Sequence, residues 1–143
     1  MLVSDILRHK GHAVVTVTPE LQVDAFVALL ADQRIGAAVI SPDRIRVTGI
    51  VSERDVILAL AAHGNQVLTW QVSEICSRDV AIARPADKLD HIMGVMTERR
   101  IRHLPVVVQG ELRGIVSIGD IVKARVSELE EEQKALTGYI TGR

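Results

Sequence analysis

Gly49-Ile50-Val51-Ser52-Glu53-Arg54-Asp55 returns later in the chain as Gly114-Ile115-Val116-Ser117-Ile118-Gly119-Asp120, with Gly, Ile, Val, Ser and Asp at matching places. Each copy reads as the end of a strand turning into a helix. The apolar Ile-Val pair closes a run of strand type, Ile45 to Val51 in one copy and Leu112 to Val116 in the other. Ser then stands where a helix needs its N-cap, and Asp falls at the third helical residue. Two readings of Ser-x-x-Asp compete. In the first it is a capping box, in which Ser and the acid satisfy two backbone N–H groups that a helix start leaves orphaned. In the second it is a sugar-phosphate site. A helix N-terminus offers N–H groups and a positive dipole end to an anion, and a carboxylate accepts hydrogen bonds from both hydroxyls of a ribose. Repetition does not separate the two, because a duplicated fold duplicates its caps. Residue choice leans toward the second, since capping boxes favour Glu or Gln where both copies carry the shorter Asp.

The rest of the chain repeats around this pair. Val3-Ser4-Asp5-Ile6-Leu7 reads as a short capped helix, and Val72-Ser73-Glu74-Ile75-Cys76 has the same pattern. Val14-Val15-Thr16-Val17-Thr18-Pro19 is a β-branched strand stopped by proline, echoed by Val80-Ala81-Ile82-Ala83-Arg84-Pro85. Apolar residues then recur at helical spacing, Val23, Phe26, Val27 and Leu30 in one copy and Leu89, Ile92, Met93 and Met96 in the other. Gly36 to Ile40 and His103 to Val108 read as strands, each turning back into the strand that ends at Ser52 or Ser117. The expected unit is strand, helix, strand, strand, helix behind a short helical lead-in. Residues 1–68 form the first copy, 69–123 the second and 124–143 a helical tail. Halves this small hide both faces of a three-stranded sheet only by packing on each other, which predicts a pseudo-twofold α/β (α+β) fold with two related clefts at the seam. In the tail, Val122, Val126, Leu129, Gln133 and Leu136 share a helix face opposite Glu128 and Glu130 to Glu132, and Gly138 is the expected stop. Its apolar stripe has three candidate partners: its own domain, a second copy of the chain or a protein target.

Composition narrows the function. The 143 residues carry 17 Lys plus Arg against 18 Asp plus Glu, a balance without the electrostatic footprint of a nucleic-acid or anionic-membrane binder. The single cysteine, Cys76, excludes an internal disulfide and a multi-cysteine metal cluster. His9 and His12 flank Lys10-Gly11 without a carboxylate or thiol to complete a metal set. Charges at Asp5 and Arg8 interrupt the place of a signal peptide, and no apolar run is long enough to span a bilayer, so the expectation is a cytoplasmic protein without membrane insertion. Ser52 and Ser117 have Asp partners, but no histidine stands at a matching place in both halves, and no phosphate-cradling Gly-rich loop is present. Binding without catalysis is the expectation.

The repeated unit resembles a tandem pair of cystathionine-β-synthase (CBS) domains, the regulatory module often called a Bateman module. The resemblance rests on Ile35-Gly36-Ala37-Ala38-Val39-Ile40 with Gly49 to Asp55, and on Ile101-Arg102-His103-Leu104-Pro105-Val106 with Gly114 to Asp120. It covers about Val3 to Lys123, and the chain is most similar to small stand-alone bacterial CBS-pair proteins. It implies a non-catalytic sensor of adenosine-containing nucleotides (AMP, ADP, ATP, NAD or S-adenosylmethionine), with no required cofactor, a homodimer and an unidentified protein target. By the same resemblance Asp55 and Asp120 hold ribose, and Ser52 and Ser117 meet phosphate. Arg102 and His103 are the basic residues that contact phosphates, Arg54 is a further candidate, and Ala37, Ala38 and Leu104 lie against adenine. The first half departs from this pattern, with Gly36 and Ala37 where the second has Arg and His, so unequal sites are expected. The alternative is an interaction or assembly module that works through the acidic C-terminal helix without ligand.

Overall fold

Helical periodicity sets the two central helices. In the computed structural model, which describes residues 1–142, α2 (Val23–Gln33) buries Val23, Phe26 and Leu30, and α4 (Leu89–Arg99) buries Leu89, Ile92 and Met96. Both helices end on an arginine in the left-handed conformation, Arg34 (φ 55°) and Arg100 (φ 53°). The next N–H reaches back in each case, Ile35 to Leu30 O (3.2 Å) and Ile101 to Met96 O (3.0 Å), which closes the last turn and throws the chain into a strand.

In the first half, β1 (Thr16–Val17) lies parallel to β2 (Ala37–Ile40), and β2 lies antiparallel to β3 (Gly49–Ser52). In the second, β4 (His103–Val108) pairs antiparallel with β5 (Glu111–Ser117), with Ala37↔Ser52 answered by His103↔Ser117. Three expected strands are cut short, and of Val14 to Pro19 only Thr16–Val17 remains as β1. Val80 to Pro85 keeps a single parallel bridge, Ala83↔Val106, so the second half has no counterpart of β1. Pro105 supplies the reason. In the first half Val39 N–H donates to Val15 O (3.2 Å) and Ser41 N–H to Val17 O (2.9 Å). Register puts Pro105 at the place of Val39, and proline has no N–H, so only the second of these bonds survives, as Val107 N–H to Ala83 O (3.0 Å). The strand expected from Ile45 begins instead at Gly49. The Asp43 carboxylate accepts the N–H groups of Ile45 and Arg46 (2.9 Å each), so a side chain takes the place of a ladder partner there.

The lead-ins exchange halves. α1 (Val3–Lys10) contributes Val3, Ile6 and Leu7 to the core of Ala83, Leu89, Ile92, Met96, Leu104, Val106, Val116 and Ile121. Reciprocally, Val67 and Val72, on the short 3-10 turns Gly64–Thr69 and Val72–Glu74, enter the core around Val23, Phe26, Ala38 and Val51. Backbone bonds confirm the crossing: Val3 N–H donates to Asp87 O (2.9 Å) at the start of α4, and Val23 N–H at the start of α2 to Trp70 O (2.8 Å). The sequence split at residues 68/69 therefore does not divide the two cores. Leu2 and Gln71 stand at the N-cap positions of these lead-ins.

This exchange explains the glycine that begins each repeated motif. A Cβ on Gly49 would lie 3.2 Å from Ser77 O and 3.3 Å from Cys76 Sγ, and one on Gly114 would lie 2.8 Å from Leu7 Cδ2. Each glycine makes room for the lead-in of the opposite copy. Leu7 is 2% exposed and has little room to retreat. Gly114→Ala is therefore expected to destabilise by about 1–3 kcal/mol, the usual penalty of overpacking, read as a lower thermal midpoint and an unchanged far-UV spectrum.

The motif helices follow as α3 (Glu53–His63) and α5 (Ile118–Ile140). α5 passes through Gly138 without stopping, and it docks by Ile121 and Ala124 against the second core. The apolar stripe does not pack back on the domain: Val122, Val126, Leu129 and Leu136 are between 48% and 63% exposed.

Candidate functional site

Both Ser-x-x-Asp motifs are capping boxes. Ser52 Oγ accepts the Asp55 N–H (3.3 Å) while Asp55 Oδ2 accepts the Ser52 N–H (2.8 Å), and Ser117 and Asp120 do the same at 3.2 and 2.9 Å. The cap occupies one oxygen of each carboxylate. Asp55 Oδ1 has no protein donor among the described residues, so capping and ligand binding are compatible at this residue. Ser52 Oγ donates to Asp55 Oδ2 (3.1 Å), which commits its proton to the cap.

The two carboxylates differ in their surroundings. Lys10 Nζ, at the end of α1, lies 2.6 Å from Asp120 Oδ2, a contact that exists only because α1 has crossed to the second half. Burial alone raises the Asp120 carboxyl, but the Lys10 ammonium and the Ser117 N–H outweigh it and hold the group below its ordinary value. Asp55 has no such cation. Burial pushes its carboxyl up, against the Ser52 hydrogen bonds and the Arg54 charge.

Asp55 faces a cavity of about 510 Å³, within the range of small-molecule sites. The first half supplies Gly36, Ala37, Ile50, Ser52, Glu53 and Arg54, with Ile57 and Leu58 from the next turn of α3. The second half supplies Arg99 and Arg100 from the end of α4, then Ile101, Arg102 and His103 leading into β4. One wall therefore carries an acceptor carboxylate and apolar side chains, and the other carries guanidinium charge. The two halves approach at Gly36, where a Cβ would come into ordinary contact with Glu53 Oε1 at 3.4 Å and His103 Cε1 at 3.5 Å. His103 is held below its ordinary value by burial and by Lys10, with Glu53 and Asp120 pulling the other way and Arg102 adding to the depression.

Of the residues singled out in the sequence, Asp55, Ser52, Arg54, Arg102, His103 and Ala37 line this one cavity. Ser117 and Asp120 stand apart from it. Ala38 and Leu104 do not line it either: both are fully buried, one in each core, because strand alternation turns them away from the seam where Ala37 and His103 face it. Arg99, Arg100, Ile50, Ile57, Leu58 and Lys10 were not anticipated. Arg99 and Arg100 stand at the left-handed end of α4, whereas Gln33 and Arg34 at the matching end of α2 do not line the cavity, so the local pattern carried no signal for them. Lys10 had no sequence signal, since its partner lies 110 residues away. Among the described residues no group of three or more His, Cys, Asp or Glu could hold a metal ion, and no helix is long and apolar enough to cross a membrane.

Comparison with known proteins converges on one family. A mitochondrial CBS domain-containing protein of Arabidopsis thaliana is 32% identical over 98% of this chain and 72% of its own length. The crystal structure of a CBS-domain-containing protein from Agrobacterium tumefaciens, 39% identical, superposes with a TM-score of 0.85 over 87% of this chain and 99% of that one. A CBS domain protein from Pyrobaculum aerophilum, solved complexed with AMP, is 27% identical with a TM-score of 0.72 over 84% of this chain and 89% of that one. The family model of the CBS domain matches residues 3–62 and again 72–127. Two matches in tandem, with the fold to go with them, place this chain in the CBS domain family.

Proposed function

We propose that the chain is a non-catalytic sensor that binds an adenosine-containing nucleotide in the cavity between Asp55 and Arg102. The observation that carries this reading is the pairing, across one cavity, of a carboxylate with a free oxygen and a wall of guanidinium groups. Asp55 Oδ1 accepts from the ribose hydroxyls, Ala37, Ile50 and Ile57 offer apolar surface to the base, and Arg102, His103 and Arg54 meet phosphate. The AMP-bound Pyrobaculum aerophilum relative supports the ligand class. The second cleft is the weaker site, because the Lys10 ammonium already neutralises Asp120.

A ligand signals here only through differential affinity. Both walls of the cavity belong to different halves, so a nucleotide that bridges them favours one arrangement of the halves, or of two chains in a homodimer, and shifts that population. The exposed stripe of α5 offers the output surface, toward a second copy or a protein target, in a cytoplasmic setting.

Thermal unfolding against adenosine, AMP, ADP, ATP, NAD and S-adenosylmethionine tests the proposal. A ligand at about a hundred times its dissociation constant stabilises by about 2.7 kcal/mol, which raises the midpoint by several degrees at this size. Calorimetric titration is expected to give one equivalent per chain. Two equal sites would overturn the assignment of unequal clefts. A protein without bound nucleotide whose midpoint no adenine ligand moves would leave the other reading, an interaction module acting through α5.

A further inference from the structure

The cavity wall that the second half supplies carries three guanidinium groups, against about two negative charges on a single phosphate. Arg99, Arg100 and Arg102 come from the second half and Arg54 from the first, against two carboxylates, Glu53 and Asp55. Among the described residues, the ion pairs leave Arg54, Arg100 and Arg102 without a carboxylate partner. Arg99 alone has one, Asp79 at 3.0 Å, and that aspartate is 93% exposed, so the pair is weak and easily exchanged. Like charges gathered on one wall repel each other until an anion joins them. The backbone that presents them is fixed: Ile101 N–H closes the end of α4 on Met96 O (3.0 Å), and Ile118 N–H donates to Arg102 O (2.8 Å).

We infer that Arg99, Arg100 and Arg102 make this cavity a polyphosphate site, selective for a nucleoside di- or triphosphate over the monophosphate, the free nucleoside or a sulfonium-bearing adenosine derivative. The inference rests on the nucleotide reading above and adds the phosphate chain to it. A guanidinium binds phosphate oxygens in a bidentate fork, so each further phosphoryl group gives another arginine its own partner. A ligand whose tail carries a cation meets the same wall as a repulsive surface. The two arginines that end α4 are the specificity determinants, since Arg100 has no carboxylate partner among the described residues and Arg99 has only the exposed Asp79 to give up.

Calorimetric titration of the full chain in EDTA with adenosine, AMP, ADP, ATP and inorganic tripolyphosphate decides it, repeated on Arg99→Gln and Arg100→Gln. Each added phosphate is expected to tighten binding by about threefold or more, with ATP at least about tenfold tighter than AMP. Either substitution, both at exposed positions, is expected to weaken ATP by about fivefold and leave AMP within about twofold. The ATP preference also shrinks as salt is raised. AMP binding as tightly as ATP, or a variant that weakens both alike, overturns the polyphosphate inference and leaves the nucleotide reading standing. Tripolyphosphate binding without any adenine nucleotide overturns the nucleotide reading and supports the anion wall. Binding of neither overturns both.

Discussion

Asp55→Ala is expected to weaken nucleotide binding by about tenfold or more, while Asp120→Ala leaves it within about threefold. A hydrogen bond to a charged group contributes about 1.5–3 kcal/mol, and about 1.4 kcal/mol is a factor of ten in affinity. Asp55 offers such an acceptor to the cavity, whereas Asp120 is neutralised by Lys10. Alanine at position 55 also removes half of a capping box and is expected to destabilise α3 by about 1 kcal/mol, so lost affinity alone is ambiguous. Asp55→Glu separates the two roles. Glutamate is the usual acid of a capping box, so the helix start survives, while the extra methylene moves the carboxylate off the ribose. The expected result is a thermal midpoint near that of the parent with most of the affinity gone. A glutamate variant that binds like the parent would reduce Asp55 to a cap, and loss of binding in Asp120→Ala instead would reverse the assignment of clefts.

The two roles open to Asp55, one observed and one proposed, show why the motif alone is ambiguous. Capping and ribose binding ask for the same residue at the same helical position, and the geometry satisfies the first with Oδ2 while leaving Oδ1 to the cavity. What separates the copies lies outside the motif. Lys10 reaches Asp120 because α1 packs on the second core, and the reciprocal lead-in, Val72–Glu74, presents no cation to Asp55. Local patterns made the helices and hairpins legible, since a 3.6-residue period and a strand-turn-strand signature are properties of short windows. The exchange of lead-ins was not legible, because Val3, Ile6 and Leu7 fit either core and only three-dimensional packing chooses. The shortened strands belong to the same class. Val80-Ala81-Ile82 has the composition of a strand, but a strand also needs a donor beside it, and Pro105 withholds one.

The adenine-contact assignments divide by the same alternation. Ala37 faces the seam; Ala38 and Leu104, one step along their strands, face the cores. The motif identifies the strand that borders the cavity but not which of its faces does so, and a one-residue change of phase exchanges core and cleft.

Leu104→Ala tests that assignment and carries the largest expected effect on stability. Leu104 is 0% exposed and packs among Leu89, Ile92, Met96 and Val116 in the core that α1 completes. Truncating a buried leucine removes its transfer free energy and leaves a cavity that the surroundings fill only in part, at about 2–5 kcal/mol. Against a total of about 5–15 kcal/mol for a domain, that is a substantial share, and chemical denaturation is expected to show it as a lower midpoint at unchanged slope. A core role and an adenine-contact role then part company in the folded molecules that remain. With Leu104 in the core, the affinity per folded chain, measured well below the denaturation midpoint, stays within about threefold of the parent. With Leu104 against the base, affinity falls by about tenfold or more because the apolar contact is lost. Ile57→Ala gives the opposite pattern: its side chain is 63% exposed at the mouth of the cavity, so stability is expected to hold within about 0.5 kcal/mol while nucleotide affinity drops. Joint loss of stability and affinity in Leu104→Ala, with neither lost in Ile57→Ala, would move the base from the mouth of the cavity to the core side of β4.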